Sequence, residues 1–363
     1  MRLGHLELTD FRNFASAELK PAGGLTALVG ANGEGKTNLL EAVGYLATLS
    51  SFRGAPGEAL VRSGAGSAVV RAELALERSS GAGTATIEAE LRPAGRDRVL
   101  VNRQPLRRSA DLVGTVQVTV FSPDDLAMVK AGPSQRRRLV DDLLVAGAPR
   151  LVGVRADLER VLRQRGTLLR QAGGRLSAEI VATLDVWDAK LTGLGEALGA
   201  ARARLVTQLE PLVSKLYDQL AASAEEVTLA YSAPWRADGL AEARAAARTD
   251  DVRRGVSTVG PHRDDVVFTI AGLPARTHAS QGEQRTLALA LRLAGHQLVA
   301  EVAGSAPVLL LDDVFSELDP DRSAALLAAL PPAQALLTTT GALPAGARPE
   351  LVVRVRAGRL VPV

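Results

Sequence analysis

The sequence predicts an α/β fold whose sheet-forming segments lie at both ends of the chain, with a helical lobe between them. Short apolar runs occupy the first 120 residues and return after about residue 256, and apolar residues at helical spacing dominate the stretch between. A glycine-rich loop follows an early apolar run, and an aspartate pair follows a late one. We therefore expect one α/β domain made from residues 1–123 and 256–363, with residues 124–255 inserted as a helical lobe.

The composition is that of an ordinary globular protein. The chain has 363 residues and a hydrophobic fraction of 47%, which excludes a disordered chain. It has no cysteine, so disulfides and thiolate metal sites are excluded and a reducing cytoplasm is expected. Its four histidines do not fall at a metal-ligand spacing. The amino terminus lacks the apolar core of a signal peptide, and no apolar run approaches the length of a membrane span.

The positive charge is mostly arginine and is concentrated in two clusters. The net charge is +3. The clusters contain Arg96, Arg98, Arg103, Arg107 and Arg108 in the first and Arg136, Arg137 and Arg138 in the second. Either these residues form ordinary solvated faces or they contact nucleic-acid phosphates. Because aromatic residues make up only 3% of the chain, any nucleic acid is expected to be held through its backbone rather than by base stacking.

The first 120 residues predict strands and turns around one helix. Leu3–Leu8 alternates apolar and polar residues, and Leu25–Val29 runs into the glycine-rich loop. Residues 38–49 then carry apolar side chains at helical spacing. Further strands are expected at Val69–Leu76, Thr84–Leu91 and Val99–Asn102.

The middle of the chain predicts helices. Between residues 184 and 216, apolar residues recur in steps of three and four, as in a coiled-coil seam. Pro211 lies within this seam and should kink or restart the helix. The pattern fits a compact helical bundle as well as a projecting coiled-coil arm. Beyond it, strands are expected at Asp265–Ile270, Val308–Leu311 and Ala335–Thr338, with a helix from Glu283 to about Val302.

The glycine-rich loop has the spacing of a P-loop, G-x-x-x-x-G-K-[ST]. It consists of Gly30, Ala31, Asn32, Gly33, Glu34, Gly35, Lys36 and Thr37. Glycines are needed because backbone N–H groups must wrap around the phosphates without side chains in the way. Lys36 would neutralise the β- and γ-phosphates, and Thr37 would place its hydroxyl on Mg²⁺. The preceding strand and following helix indicate nucleoside-triphosphate binding.

Two aspartates follow the apolar run Val308–Leu311, which suits a central parallel strand. Asp312 would hold Mg²⁺, directly or through water, and Asp313 would polarise the attacking water. The competing interpretation is a solvated acidic turn, because further acidic residues, Glu317 and Asp319 among them, lie just beyond.

The segment Ser280-Gln281-Gly282-Glu283-Gln284 has two interpretations. Ser280 and Glu283 have the spacing of a capping box, which any helix can carry at its start. A capped helix N-terminus also presents a hydroxyl and free N–H groups at the positive end of the helix dipole. Such an end could bind the γ-phosphate of a nucleotide held by another subunit. Both interpretations stay open on this segment alone.

Taken together, these segments resemble the RecF family of SMC-like ABC ATPases, and the resemblance runs nearly end to end. The matching strings are Phe11-Arg12-Asn13, residues 33–42, residues 121–126, residues 133–138, residues 260–265 (Gly-Pro-His-Arg-Asp-Asp), residues 280–285 and residues 311–319. The resemblance implies an α/β fold with an ABC/SMC-type P-loop ATPase head as lobe I and an inserted helical lobe II. Without it, residues 261–265 would be interpreted as a turn with an internal ion pair.

The resemblance also implies a function. Such proteins form ATP-dependent homodimers that recognise double-stranded DNA beside single-strand gaps. With RecR, and through it RecO, they promote loading of RecA in recombinational repair, replication restart and SOS induction. ATP and Mg²⁺ are the implied cofactors. The enzyme would be a weak, DNA-stimulated ATPase in the cytoplasm near the nucleoid, with slow hydrolysis as a dimerisation switch.

Site residues can be carried over from the family's motifs. Lys36, Asp313 and Ser280 are the expected catalytic residues, and Thr37 and Asp312 the metal ligands. The expected nucleotide contacts are the P-loop residues 30–37 with Asn38, Arg12, Ser280, Gly282 and Gln284. The expected DNA contacts come from the two arginine clusters and not from a family motif, and they are Arg96, Arg98, Arg103, Arg107, Arg108, Arg136 and Arg137. The chain departs from the pattern where Glu283 replaces a common glutamine and Asp313 a common glutamate, and no glutamine-loop residue is assigned.

Two other functions are compatible with the same motifs. One is an SMC-like clamp that tethers intact duplex DNA without loading a recombinase. The other is the ATPase subunit of an ABC transporter, which the helical insertion and the family-specific strings disfavour.

Overall fold

The computed structural model describes residues 1–78, 81–106, 112, 115–148, 150–221 and 225–362, and these residues form an α/β structure. The strands are β1 Arg2–Phe11, β2 Phe14–Leu19, β3 Leu25–Val29, β4 Ala68–Arg78, β5 Gly81–Leu91, β6 Arg98–Val101, β7 Gln104–Pro105, β8 Val118–Phe121, β9 Val227–Ser232, β10 Asp265–Ile270, β11 Leu273–Pro274, β12 Val308–Leu311, β13 Ala335–Thr339, β14 Leu351–Arg356 and β15 Arg359–Pro362. The helices are α1 Lys36–Thr48, α2 Ala127–Lys130, α3 Pro133–Gly147, α4 Leu151–Ala172, α5 Ala178–Ala221, α6 Leu240–Arg254, α7 Ala275–His278, α8 Gln281–Ala303 and α9 Pro320–Ala329.

The chain divides into two units. The first consists of Met1–Leu126, Lys215–Ala224 and Arg285–Val363. The second consists of Ala127–Ser214 and Glu225–Gln284. The first unit is thus built from both ends of the chain.

The first unit contains two six-stranded sheets. One is antiparallel, with the order β2-β1-β4-β5-β6-β7. The other has the order β15-β14-β3-β13-β12-β8 and is parallel except for β15. Strand β3 lies between β13 and β14, so the early strand that leads into the P-loop is paired on both sides with strands from the end of the chain.

Helix α1 and both sheets share one apolar core. Leu39 and Leu40 of α1 are fully buried together with Leu6 and Leu8 of the antiparallel sheet and Leu310 of the parallel sheet. Strands β12 and β13 are buried along their length, as expected for strands covered on both faces. This core fixes the start of α1 relative to the strand ends.

Gln334 links the two sheets by hydrogen bonds. Its Oε1 accepts from the N–H of Leu3 at 2.7 Å, and its Nε2 donates to the carbonyls of Leu3 and Ala22 at 2.9 and 2.8 Å. Because Gln334 is only 5% exposed, these backbone groups have little access to water as an alternative partner.

The second unit combines a three-stranded sheet, β11-β10-β9, with helices. Leu158 and Val161 of α4 pack against Leu191 and Leu198 of α5. Beneath this layer, the fully buried Arg165 forms ion pairs of 2.7 Å with Asp188 and Asp251. The part of the apolar seam of α5 that contains Leu191 and Leu198 is therefore buried against α4 in this unit.

The division of the chain differs from the predicted one in two respects. The second unit reaches Gln284, beyond the predicted boundary at residue 256, and it contains strands. The reason is that β9 pairs with β10 along its whole length, from Val227 opposite Ile270 to Ser232 opposite Asp265. A strand pattern shows that β10 exists, but it does not show which strand lies beside it.

The expected restart of the helix at Pro211 is wrong. Helix α5 continues through Pro211. Leu209 and Val213 on either side of it are fully buried. Burial of these flanking residues compensates for the backbone hydrogen bond that proline cannot donate. Among the described residues, no helix is both long and apolar enough to cross a membrane.

The Gln334 bridge can be tested by substitution. Gln334→Leu keeps the size of the side chain but leaves the Leu3 N–H and two carbonyls buried without partners. We expect the free energy of unfolding to fall by roughly 2–4 kcal/mol, measured from urea denaturation. Gln135→Leu, at an exposed position of α3, is the matched control. Equal stabilities of the two variants would show that the bridge contributes nothing.

His296 on α8 should make stability depend on pH. It is 1% exposed, and its Nδ1 lies 3.0 Å from Thr119 Oγ1 of β8. Burial lowers its pKa from 6.5 to about 4. As the pH falls from 6.5 to about 4, His296 is protonated in the unfolded chain before it is protonated in the folded protein. The free energy of unfolding therefore falls, by at most about 3 kcal/mol.

We expect His296→Gln to reduce the change in urea midpoint between pH 6.5 and pH 4. His278→Gln, at an exposed position, should leave the pH dependence as it is in the unsubstituted protein. If the urea midpoint depended on pH in the same way in both variants, His296 would not be the group that makes stability depend on pH.

Candidate functional site

The candidate site lies at one edge of the parallel sheet of the first unit. Strands β3, β8, β12 and β13 run in the same direction, so their carboxyl ends meet at this edge. In open α/β sheets this is the edge at which ligands bind. The P-loop follows β3 and Asp312 follows β12, which brings together two segments that are far apart in the sequence.

The backbone of the P-loop requires glycine at specific positions. Gly33 and Gly35 have φ values of +81° and +114°. A Cβ on Gly35 would lie 2.6 Å from Nδ2 of Asn13, and one on Gly30 would lie 2.3 Å from the carbonyl oxygen of Val355. Side chains at these positions would therefore push the loop away from its neighbours.

Lys36 is held inside the loop. Its Nζ donates to the carbonyl oxygens of Gly30 and Ala31, both at 2.8 Å, and the residue is buried. Burial lowers the pKa of Lys36, whereas the nearby carboxylates of Asp313 and Asp312 act in the opposite direction. The ammonium group is thus positioned where a P-loop lysine contacts phosphates.

Asp312 joins the P-loop to the end of β13. Its Oδ1 accepts hydrogen bonds from Thr37 Oγ1 at 2.8 Å and from Thr338 Oγ1 at 2.9 Å. Burial raises the pKa of Asp312, and the two hydroxyls partly offset this by stabilising the carboxylate. The carboxylate therefore lies beside the hydroxyl that starts α1, where the sequence places both metal ligands.

The donor set fits Mg²⁺. A hydroxyl and a carboxylate are hard oxygen ligands, and Mg²⁺ commonly takes one or two carboxylates together with water and substrate phosphates. Among the described residues, no cluster of three or more His, Asp or Glu side chains could hold a metal by itself. Thr37 and Asp312 are therefore suited to a metal that arrives with a nucleotide.

Asp313 begins a tight turn next to these groups. Its φ of +50° is in the left-handed region, and its N–H donates to Thr338 Oγ1 at 2.8 Å. Ser316 Oγ donates to the Asp313 carbonyl at 2.7 Å, which closes the turn. Arg285 of α8 then holds the far end of the turn by donating to the carbonyl of Glu317 at 3.0 Å. The backbone at Asp313 is thus held in the left-handed conformation by hydrogen bonds at its N–H and its carbonyl.

Glu34 fixes the outer part of the P-loop. Its carbonyl oxygen accepts from Asn13 Nδ2 at 2.9 Å and from the Gly358 N–H at 3.2 Å. Its carboxylate accepts from the N–H of Ala357. Asn38 donates to Asn13 Oδ1 at 2.8 Å. Asn38, an expected nucleotide contact, therefore supports the loop through its hydrogen bond to Asn13.

Arg12, another expected nucleotide contact, makes a bidentate ion pair within the protein. Its Nε and Nη2 each lie 2.8 Å from a carboxylate oxygen of Glu41, which is fully buried in α1. Ser51 Oγ also donates to Glu41, at 2.5 Å, and accepts from the N–H of Arg53 at 3.1 Å. The structure thus gives Arg12 a role in holding α1 and the segment that follows it.

Arg53 is a site residue that the sequence analysis missed. Its guanidinium is exposed and lies 3.4 Å from Asn38 Oδ1, beside the start of α1. Burial raises the pKa of Asp312, and the charge of Arg53 acts in the opposite direction. No spacing motif signals this, because Arg53 is brought there by the Glu41–Ser51 contacts.

Ser280, Gly282 and Gln284 lie in the second unit, where they start α8. The capping box is formed: the Ser280 N–H donates to Glu283 Oε2 at 2.6 Å, and the Glu283 N–H donates to Ser280 Oγ at 3.3 Å. Ser280 is exposed, so this end can meet a ligand. Gln284 is buried, and its Nε2 donates to the carbonyls of Ala275 and Arg276 at 3.0 and 3.3 Å, which anchors α7.

The two arginine clusters have different surroundings. Arg96, Arg98 and Arg103 are exposed and form no ion pair with the described residues. Arg107 and Arg108 lie outside the described residues.

Arg136, an expected DNA contact, is 5% exposed and makes a bidentate ion pair with Asp265 at 2.8 Å, so its guanidinium is engaged within the protein. Arg137 donates to the carbonyl of Asp264 at 2.5 Å, and burial lowers its pKa. The second cluster therefore ties α3 to β10.

The Gly-Pro-His-Arg-Asp-Asp string does not form an internal ion pair. Instead, Asp264 accepts hydrogen bonds from Trp235 Nε1 at 2.7 Å and from the Tyr231 hydroxyl. Arg202, which is paired with Asp141 at 2.7 Å, donates to the carbonyl of Pro261 at 2.6 Å. The two aspartates of the string are thus matched by partners on other elements of the second unit, whereas Arg263 is exposed and donates to the carbonyl of Ser257.

Comparison with known proteins agrees with this architecture. Residues 2–339 match the family model described as the RecF/RecN/SMC N terminal domain. The chain is 44% identical over 354 residues to the DNA replication and repair protein RecF of Streptomyces avermitilis, covering 93% of each chain. It is 42% identical over 384 residues to the protein of the same name from Kineococcus radiotolerans, covering 98% of this chain and 97% of that one.

Solved structures show the same fold. A structure of the recombination mediator protein RecF-ATPrS in the RecFOR pathway has a TM-score of 0.90 and 27% identity, covering 100% of this chain and 98% of that chain. An Smc head bound to the C-winged helix domain of ScpA has a TM-score of 0.58 and 16% identity, which supports the fold alone. The predicted α/β head of the ABC/SMC type is confirmed, and the chain belongs to the RecF family.

Proposed function

We propose that this chain is an ATP-dependent DNA clamp that acts in DNA replication and repair. The observation that carries the proposal is the hydrogen bond between Thr37 and Asp312, which joins a P-loop to an acidic strand end at the ligand-binding edge of a parallel sheet. The relatives named DNA replication and repair protein RecF, at 44% identity, support the process in which the clamp acts.

The chain's own residues would bind ATP in defined roles. The loop N–H groups from Gly33 to Lys36 cradle the phosphates, and the Lys36 ammonium neutralises them. Thr37 and Asp312 would hold Mg²⁺, which on binding supplies positive charge to the β- and γ-phosphate oxygens. A structure named for RecF-ATP, with a TM-score of 0.89 and 27% identity, supports this ligand.

Hydrolysis would be slow and would depend on Asp313. A carboxylate placed one residue beyond the metal ligand can orient and polarise a water molecule beside the γ-phosphate. Aspartate is one methylene shorter than the glutamate of fast ABC ATPases, so the water is held less closely. Slow turnover suits a nucleotide that switches an assembly on and off, and DNA would stimulate it.

Dimerisation would complete the site. The exposed, capped start of α8 presents Ser280 and the positive end of the helix dipole to an anion. In a homodimer, these groups would contact the γ-phosphate held by the partner subunit, so that ATP links two copies. Gln284, whose amide anchors α7, would position this end rather than contact the nucleotide.

The DNA target would be duplex beside a single-strand gap, and RecR with RecO would couple the clamp to RecA loading. Exposed arginines such as Arg96, Arg98 and Arg103 offer phosphate contacts, and this activity would place the protein at the nucleoid. The solved relative's placement in the RecFOR pathway supports these partners. An SMC-like tether is the second candidate and rests on the likeness of the fold to Smc heads.

The P-loop assignment predicts the effect of Lys36→Ala. We expect ATP affinity to fall by at least about 30-fold, because a buried cation–phosphate contact is worth roughly 2 kcal/mol or more. ATP-dependent dimerisation should be lost with it. Titration calorimetry and light scattering measure the two effects, with Lys130→Ala at an exposed position as the control. Normal ATP-driven dimers of Lys36→Ala would refute the assignment.

The switch is tested with Asp313→Asn. This variant should bind ATP within a few-fold of the unsubstituted protein and hydrolyse it at least about 100-fold more slowly, because it lacks the general base. In fluorescence anisotropy, its affinity for a gapped duplex should be at least about 10-fold higher with ATP than with ADP.

Two results would count against these roles. Undiminished turnover would remove Asp313 from the mechanism. Equal DNA affinity with ATP and ADP would mean that the nucleotide does not gate DNA binding. A gapped and an intact duplex, compared in the presence of RecR, separate the gap-recognising clamp from the SMC-like tether.

A further inference from the structure

The hairpin formed by β14 and β15 carries an unbalanced positive charge. Residues 351–363 contain Arg354, Arg356 and Arg359 and no acidic residue. All three arginines are exposed, and none of them forms an ion pair with the described residues.

The register places the three guanidinium groups on one face. Arg356 is directly opposite Arg359, and Arg354 is two residues before Arg356 on the same strand. On the other face, Val353 and Val355 are buried in the core of the first unit. Like charges directly opposite each other destabilise a sheet, so this hairpin keeps a repulsive pair that an external anion would relieve.

Two other arginines of the first unit, Arg71 and Arg62, are neutralised by carboxylates within the protein. Arg71 on β4 contacts Glu88 at 2.6 Å and Glu7 at 3.1 Å. Arg62 contacts Asp10 at 2.6 Å. The hairpin differs from them because its arginines are grouped on one face and have no such partner among the described residues.

The hairpin is also rigidly attached to the P-loop. Its turn residues, Ala357 and Gly358, have φ values of +47° and +68°, and both N–H groups donate to Glu34. A Cβ on Gly358 would lie 2.3 Å from the carbonyl oxygen of Asn13, so the turn and the β1–β2 connection are in close contact. The basic face is therefore held in a fixed position beside the nucleotide loop.

We propose that this basic hairpin face, Arg354, Arg356 and Arg359, binds the phosphate backbone of duplex DNA. The inference rests on the proposed function, which supplies DNA as the ligand. The face has three unpaired guanidinium groups, which suit phosphate oxygens, and no aromatic ring that would stack on bases.

The test is DNA binding by Arg354→Gln/Arg356→Gln/Arg359→Gln as a function of salt concentration. Each lost phosphate contact lowers the log–log slope by roughly 0.9, so three lost contacts lower it by about 2.7. The probe is a fluorescent duplex with a gap, and the reference is the unsubstituted protein with ATP. ATP affinity should not change and the thermal midpoint should not fall, because the three side chains lie on the exposed face of the hairpin and losing them removes a repulsive pair.

A charge-matched control is Arg160→Gln/Arg253→Gln/Arg254→Gln. These arginines are exposed, and each has an acidic neighbour on its own helix at 2.9, 2.7 and 3.7 Å. The control removes the same net charge but should keep the slope of the unsubstituted protein. Lysine at the three hairpin positions keeps the charge, so most of the salt dependence of DNA binding should be restored. This variant separates the loss of charge from a folding defect.

The outcomes are distinct. An unchanged slope in the hairpin glutamine variant, when the unsubstituted protein binds DNA, overturns this inference and leaves the proposed function intact. Loss of ATP-dependent dimerisation with an unchanged slope would assign the face to a second copy of the chain and also overturns it. Absence of DNA binding by the unsubstituted protein would refute the proposed function and the inference together.

Discussion

The buried carboxylate of Asp312 is the interaction on which the site depends. It accepts from Thr37 at the start of α1 and from Thr338 at the end of β13, while its own position is fixed by β12. The carboxylate thus joins three segments, which are α1, β12 and β13. A buried carboxylate without these hydrogen bonds would raise the free energy of the folded state. The bonds therefore keep the P-loop and the acidic strand end together at the edge of the sheet.

Much of the arginine in this chain stabilises the interior. Arg12 with Glu41, Arg136 with Asp265 and Arg202 with Asp141 are each bidentate and largely buried. Guanidinium suits such positions because its planar fork matches a carboxylate and is more weakly hydrated than an ammonium. A cluster of arginines in the sequence therefore does not by itself mark a surface for DNA, and only the partners of each residue decide between the two roles.

Features with a local sequence signature were predictable, and features set by distant partners were not. The P-loop, the strand before Asp312 and the capping box of Ser280 and Glu283 follow from spacing within a few residues, and the structure has them. The pairing of β9 with β10 and the burial of Arg136 depend on contacts made across long stretches of chain. Periodicity carries no information about such partners, because many different tertiary arrangements share the same local pattern.

The placement of β3 has a consequence for synthesis of the protein. This strand ends only 29 residues from the amino terminus, yet its neighbours β13 and β14 begin at residues 335 and 351. At roughly 5–20 residues per second, the ribosome needs about 15–60 s to produce the strands that flank it. Throughout that interval both edges of an apolar strand are without their native partners, and the nucleotide loop has no fixed base. The site therefore forms only after β13 and β14 have been synthesised, and a chain that stops before residue 335 exposes a strand prone to aggregation.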